Sequence, residues 1–137
     1  MNYMTAKDAN RREHILFGRD YDRDNYRLGG VSYFKEASPK TLRELIDVGF
    51  ADPEEAQNSS PTILEFLEFI ESQPDPDNWY LHGYSVSPER DDVRISIEGI
   101  GSYGPVASEN LADFVMENRF ADTLDIMPDH KVYCWYD

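Results

Sequence analysis

Apolar residues at helical spacing dominate the first half of the chain. Thr5 followed by Asp8 is typical of a helix N-cap, and the pattern predicts a helix that runs to Phe17 and ends at Gly18. Three pairs of a capping residue and a proline predict three further helix starts, because proline fits the first helical turn. These pairs are Ser38-Pro39, Asp52-Pro53 (with Glu55 closing a capping box) and Ser60-Pro61.

The helix after Ser60-Pro61 has the most apolar pattern. In residues 63–71 apolar side chains are separated by single glutamates, so the glutamates share one narrow stripe and the other faces suit burial. The stripe contains Glu65, Glu68 and Glu71. The pattern predicts the central core helix, and the prolines and acids of residues 74–78 predict a turn after it.

From Trp79 onward the hydrophobic period changes to two, which predicts a β-hairpin of residues 79–86 and 92–98. We expect a four-residue loop, because slipping the register by one residue would place serines against aliphatic side chains. The expected pairs are Val86 with Val93, Tyr84 with Ile95, and His82 with Ile97.

The rest of the chain predicts a helix capped by Ser108 and a second hairpin of residues 123–127 and 131–136. The expected class is therefore α+β: a helical N-terminal half, about residues 1–74, in which residues 31–34 are predicted as one short strand, packs on a mainly antiparallel sheet in residues 75–137. The second half is predicted to form a β-hairpin, a helix and a second β-hairpin, in that order. We expect residues 1–137 to form a single domain, because neither half is large enough to fold comfortably alone.

Composition supports a folded protein in a reducing compartment. The chain has 137 residues, 40% hydrophobic and 13% aromatic, which is too rich for a disordered segment. Cys134 is the single cysteine, so neither an internal disulfide nor a cysteine zinc site is expected. Residues 1–5 lack a signal-like apolar run, and no stretch approaches the ~20 apolar residues that span a bilayer. We expect a cytoplasmic protein that does not bind membranes.

Charge is strongly uneven along the chain, whose net charge is -14. Residues 1–43 carry nine Lys/Arg against six Asp/Glu, whereas residues 44–137 carry four against 21. The acidic part repels phosphate backbones, so we do not expect it to bind nucleic acid directly. The basic part offers a contact for nucleic acid or an acidic protein, unless the two parts pair with each other. Its candidate arginines are Arg11, Arg12, Arg19, Arg23 and Arg27.

Residues 99–104 match the glycine spacing of a dinucleotide-binding loop. The preceding strand alternates with Arg94, Ser96 and Glu98, however, and Pro105 interrupts the expected helix start. We favour a glycine-rich exit from the hairpin, with a small anion at the following helix as a weaker alternative, and expect no cofactor.

The sequence also contains weak signals for a metal site and for a reactive thiol. Asp20, Asp22 and Asp24 resemble the start of a calcium loop, but the later glycine and glutamate of that loop are missing, so we expect no metal site. Cys134 and His82 would form a nucleophile pair only if their strands were neighbours, and a buried cysteine and a core histidine are the expected alternative. No catalytic residue is assigned.

The uneven charge distribution and the many aromatic residues favour a small non-enzymatic interaction or regulatory protein that binds a partner with a basic surface. Carboxylates on a rigid domain steer such an encounter, and tyrosines supply anchors. The candidate partner-binding residues are Glu65, Glu68, Glu71, Asp75 and Asp77. A sharper form is a nucleic-acid mimic that inhibits a DNA- or RNA-binding protein.

The alternative function is a small enzyme or small-ligand-binding domain that uses the hairpin face and the glycine-rich residues 99–104. Histidine, tyrosine and cysteine side chains there could contact a ligand if the fold brings them together. The candidate residues are His82, Tyr84, Gly101, Tyr103 and Cys134.

Overall fold

The protein, described by a computed structural model over residues 4–137, combines helices with one antiparallel sheet, which confirms the α+β class. Residues 1–3, part of the stretch considered for a targeting signal, lie outside the described residues. The helices are α1 (Ala6–Phe17), α2 (Pro39–Asp47), α3 (Ile63–Glu71) and α4 (Ser108–Glu117). The strands are β1 (Val31–Ala37), β2 (Trp79–Val86), β3 (Ile95–Ser102), β4 (Thr123–Ile126) and β5 (Val132–Trp135).

The five strands lie in the order β1-β2-β3-β5-β4, and every neighbouring pair is antiparallel. The C-terminal part forms the expected hairpin, helix and hairpin. The first edge strand, β1, comes from the N-terminal part, so the sheet is not confined to residues 75–137. All four helices place side chains in or against one buried cluster on a single face of the sheet, and α3 contributes the most.

Local capping explains where the helices begin. The Asp8 amide donates to the Thr5 side chain at 3.1 Å, and α1 ends at Gly18, whose φ of 67° suits glycine. In α3 the cap is Thr62, which forms a capping box with Glu65, and not Ser60 as the sequence suggested. Likewise Ala107 precedes α4, so Ser108 is its first residue and not its cap.

The predicted helix at Asp52-Pro53 is wrong. Asp52 forms a turn instead: its side chain accepts from the Glu54 amide at 2.9 Å and its carbonyl from the Glu55 amide at 3.0 Å. The segment then runs irregularly to α3, while the Glu55 carboxylate accepts a hydrogen bond from Ser96 of β3. A partner distant in the sequence therefore replaces the expected capping box.

The predicted hairpin register is wrong by one residue. Ser85 lies opposite Ile95, Tyr84 opposite Ser96, and Gly83 opposite Ile97, with a bulge before His82 pairs with Gly99. The serines carry no burial penalty, because Ser85 shares a hydrogen bond with the Tyr26 hydroxyl and Ser96 bonds to Glu55 and Gln57. Serines can lie opposite aliphatic residues here because these partners satisfy their hydroxyl groups.

A buried polar network joins α1 to the sheet. Arg12 is 1% exposed and donates to the Val86 carbonyl at 2.7 Å. Glu13 is fully buried and accepts from the Tyr26 hydroxyl and from Arg19 Nε. Burial and the hydrogen bond to Glu13 raise the pKa of Tyr26 to about 12. These charged residues explain why the apolar periodicity of α1 is weak.

None of the helices within residues 4–137 has the length and apolar content that crossing a bilayer requires.

Candidate functional site: an aromatic face of the sheet

The face of the sheet opposite the helices is rich in aromatic side chains. Alternation along the strands and cross-strand pairing place these residues on one side, away from the aliphatic core. We call this set the tyrosine face; it consists of Tyr33, Tyr80, His82, Tyr84, Tyr103, Tyr133 and Trp135. Tyr33 is 65% exposed and Tyr103 48% exposed, so the face is accessible to a partner.

Neighbouring rings on the tyrosine face contact one another in pairs. The ring centroids of Tyr33 and Tyr84 lie 5.8 Å apart in an edge-to-face arrangement. Those of Tyr80 and Tyr103 lie 5.0 Å apart. These pairs hold the rings in defined positions, which reduces the conformational entropy that the tyrosine side chains would lose when a partner binds.

Two glycines of β3 make room for rings that lie across the sheet. A Cβ atom at Gly101 would stand 2.3 Å from the Tyr80 hydroxyl. A Cβ atom at Gly99 would stand 2.0 Å from the Cys134 carbonyl and 2.6 Å from His82 Nε2. Both residues lie inside β3 without positive φ, so the predicted glycine-rich turn, like a nucleotide-binding loop, is absent here.

His82 links three strands. From β2 its ring passes over Gly99 of β3, and its Nε2–H donates to the Cys134 carbonyl of β5 at 2.8 Å. The ring also stacks on Tyr133, with centroids 4.9 Å apart and planes within 9°. Burial lowers the pKa of His82, and the bond to the Cys134 carbonyl opposes this shift only in part. The neutral ring therefore joins β2 to β5 across β3.

The Cys134 side chain belongs to the opposite face. It is fully buried in the core beneath the helices, and burial raises its thiol pKa to about 12. His82 contacts the carbonyl of Cys134 and not its sulfur. The two residues suggested as a nucleophile pair are thus brought close along the backbone, but their reactive atoms are kept apart.

A groove of about 480 Å³ crosses the tyrosine face between β1 and β5. His82 and Gly83 lie in it, and we call it the acidic groove. Its other side chains include three tyrosines, two carboxylates and one lysine: Tyr33, Lys35, Glu36, Tyr80, Glu98 and Tyr133. Within residues 4–137, no ion pair is formed by Glu36, Glu98 or Lys35.

The two carboxylates influence their aromatic neighbours. Burial raises the pKa of Glu98, and a hydrogen bond from Trp135 opposes this shift. Burial, followed by the negative charge of Glu36, raises the pKa values of Tyr80 and Tyr103. The groove therefore combines aromatic rings with an excess of negative charge.

An arginine of the chain itself contacts Tyr84 of the tyrosine face. The Arg94 guanidinium is 5.9 Å from the centre of the Tyr84 ring, whose hydroxyl accepts from Nη2 at 3.4 Å. Arg94 also pairs with Asp92 at 3.2 Å and with Glu55 at 3.7 Å. Tyrosine and carboxylate groups thus hold a guanidinium at one end of the tyrosine face.

The glutamate stripe suggested for partner binding is exposed on α3, on the helix side of the molecule. Glu65 is engaged in the capping box, and Glu71 forms a two-contact pair with Arg43 at 2.6 and 2.9 Å. Glu68 forms no ion pair within residues 4–137. Asp75 and Asp77 are exposed in the turn before β2.

Several arginines of the basic N-terminal part are used internally. Arg12 is buried, Arg19 pairs with Glu13, and Arg23 pairs with Glu89 at 3.2 Å. The two unevenly charged parts therefore contact each other at some of these positions.

The acids that resemble a calcium loop have separate local roles. Asp20 contacts His14 at 2.6 Å, Asp22 caps a short 3-10 helix, and Asp24 approaches Arg27 at 3.9 Å. Across residues 4–137 no three His, Cys, Asp or Glu side chains are grouped to hold a metal ion.

Of the residues in this region, the sequence pattern indicated His82, Tyr84, Gly101 and Tyr103, but not the carboxylates or most of the rings. The missed residues are Tyr33, Glu36, Tyr80, Glu98, Tyr133 and Trp135. Aromatic residues at alternate positions, as in Tyr80, His82 and Tyr84, were a usable signal for one aromatic strand face. Glu36 and Glu98 had no local signal, because only the strand order brings them together.

Searches against protein-family models, curated proteins and solved structures find no match to this chain.

Proposed function

We propose that this protein is a non-enzymatic interaction protein that binds a protein partner with a basic surface through its tyrosine face. The observation that carries the proposal is a sheet face with exposed tyrosine rings, on which three tyrosines line one groove with two carboxylates that form no ion pair within residues 4–137. Tyrosine and tryptophan are enriched in protein interfaces because they bury large areas with few rotatable bonds.

Charge supports a basic partner. The net charge of -14 would attract a basic protein over a Debye length and raise its association rate. The acids near the tyrosine face would then select orientation at short range. We favour this face over nucleic-acid mimicry by α3, because Glu65 and Glu71 already have local partners.

The state of the two reactive side chains supports a non-enzymatic role. Cys134 is buried with a pKa of about 12, and His82 Nε2 is bonded to a carbonyl. A nucleophile needs access and an accessible base, and these two residues offer neither. A cytoplasmic location is part of the proposal, since a single buried thiol suits a reducing compartment.

Capture of partners from a lysate of the encoding organism, with the full chain immobilised, tests the proposal. The informative variant is Tyr33→Ser with Tyr103→Ser, because both side chains are exposed and their loss should not unfold the protein. The matched control is Met116→Ser with Phe120→Ser, which removes exposed apolar side chains outside the tyrosine face.

We expect wild type and control to retain the same basic protein at low salt and to release it at high salt, and the tyrosine variant to lose it. Equal retention by all three proteins would contradict the proposal. Loss only on changing Glu65, Glu68 and Glu71 together to Gln would move the binding site to α3.

A further inference from the structure

We propose that the acidic groove is a pocket for an arginine side chain presented by the partner protein. This inference rests on the proposed function and specifies what the tyrosine face recognises. Glu36 and Glu98 bind the guanidinium group, and the rings of Tyr33, Tyr80 and Tyr133 surround it.

Unpaired carboxylates are the first argument. Glu71, Asp92 and Glu13 each have an arginine within 3.2 Å, so this chain commonly pairs acids with guanidinium groups. Glu98 is partly buried on the sheet without such a partner, and removing a carboxylate from water without a cation is unfavourable. A cation entering the groove would offset that cost.

The neighbouring Arg94 is the second argument. It lies over the Tyr84 ring and pairs with two carboxylates, and Tyr84 in turn contacts Tyr33 at the edge of the groove. The acidic groove contains the same groups, tyrosine rings and two carboxylates, without an arginine. The protein thus already holds one guanidinium by the chemistry that we assign to the groove.

Arginine suits the groove better than lysine. Its planar guanidinium stacks on aromatic rings, donates to two carboxylates at once and is weakly hydrated, whereas an ammonium group is a compact and strongly hydrated charge. The groove walls include several rings and its acids lie on different strands, β1 and β3, so a flat group with several donors suits this arrangement better than a single ammonium.

Lys35 offers a substitution whose expected effect on arginine binding is opposite to that of Glu36 or Glu98. Lys35 lines the same groove and forms no ion pair within residues 4–137. It would repel a cationic side chain and attract an anionic one. Removing its charge should therefore tighten binding of arginine, whereas removing the charge of Glu36 or Glu98 should weaken it.

The experiment is a titration of the full ¹⁵N-labelled chain with acetyl-Gly-Arg-Gly-amide, followed by NMR. Lysine and glutamate versions of the peptide are the comparison probes. The variants are E36Q, E98Q and K35Q, and the matched control E68Q removes the same charge from the exposed side of α3. Glutamine at position 98 can still accept from Trp135, so the local structure should persist.

We expect the amides of Gly83 and Gly99 and the Trp135 indole N–H to shift with the arginine peptide, with Kd on the order of millimolar. E36Q and E98Q should each raise Kd about three- to tenfold, and K35Q should lower it about twofold. E68Q should leave Kd unchanged. The lysine peptide should bind at least about threefold more weakly.

Equal binding of the lysine peptide, tighter binding of the glutamate peptide, or insensitivity to E36Q and E98Q would overturn the pocket. Partner capture separates this failure from failure of the proposed function. If Tyr33→Ser with Tyr103→Ser abolishes capture while E36Q and E98Q affect neither measurement, the function stands and the pocket is wrong. If the arginine peptide binds as expected but no partner depends on the tyrosine face, the pocket stands and the function is wrong.

Discussion

The helix-covered face and the tyrosine face of one sheet bury their residues by different means. On the first, aliphatic and aromatic side chains such as Leu81, Ile100 and Phe66 are fully buried between sheet and helices. On the second, the rings of His82 and Tyr80 lie across Gly99 and Gly101 and cover these positions of the strand. The first face depends on side-chain volume, whereas the second depends on the absence of side chains beneath the rings.

The two faces therefore contribute differently to folding stability and to partner binding. Filling the helix-covered face requires complementary volumes, so every change there alters the free energy of unfolding. The tyrosine face leaves Tyr33 and Tyr103 exposed, and their substitution removes accessible surface without opening a cavity. Substitutions on the helix-covered face should therefore lower the free energy of unfolding. Substitutions of the exposed tyrosines should mainly weaken partner binding.

The largest effect is expected on the helix-covered face. Phe66→Ala removes a fully buried ring that contacts Tyr136, and should lower the free energy of unfolding by about 3–5 kcal/mol. Urea denaturation measures this loss. The control Phe120→Ala changes a ring that is 65% exposed and should remain within about 0.5 kcal/mol of wild type.

The second largest effect is expected beneath the rings. Gly99→Ala would press a methyl group against the Cys134 carbonyl and displace His82, at a cost of about 2–4 kcal/mol in urea denaturation. Gly101→Ala meets the phenol end of Tyr80, which can rotate away, so it should cost less. The dependence on close backbone approach would be refuted if Gly101→Ala were the more damaging change.

A smaller effect should follow pH through His82. Its pKa is lowered in the folded protein from 6.5 in the unfolded chain, so the unfolded chain takes up a proton first as the pH falls. The free energy of unfolding should therefore be constant with respect to this group above about pH 7 and decrease as the pH falls below 6.5.

Urea denaturation between pH 5 and 7.5, at about half-unit steps, measures that decrease. His82→Gln should flatten the curve in this range while lowering stability at pH 7.5 by about 1 kcal/mol for the lost hydrogen bond. An identical pH dependence in this variant would show that other groups cause it.

The smallest effect on stability is expected at the exposed edge of the tyrosine face. Tyr33→Ser should change the free energy of unfolding by less than about 1 kcal/mol, because the side chain is 65% exposed on an edge strand. The same variant should weaken partner capture. Strong destabilisation here would mean that the ring is mainly a packing element.

Local signals predicted much of the secondary structure. Thr5 and Gly18 bounded α1, Ser38-Pro39 started α2, and alternating apolar residues marked the strands. These features act within a few residues, so they can be read without tertiary information. The helix at Asp52 failed for the opposite reason: the Glu55 side chain bonds to Ser96, 41 residues away.

In the candidate site, too, some features follow from neighbouring residues and others from residues distant in the sequence. The alternation of Tyr80, His82 and Tyr84 indicated that they share a strand face, but nothing local indicated that Glu36 and Glu98 lie in one groove. Their proximity depends on the strand order β1-β2-β3-β5-β4. The role of His82 as a link between strands was also hidden, because its acceptor is a backbone carbonyl of β5.

The sequence by itself determined the α+β class, the four helices with the caps of α1 and α2, and the strand segments, because caps and periodicity act over short distances. Only the tertiary structure decided the hairpin register, which depends on distant polar partners for Ser85 and Ser96. It also decided which tyrosines and glutamates meet, because sheet order and the bulge at His82 bring residues from four strands to one groove.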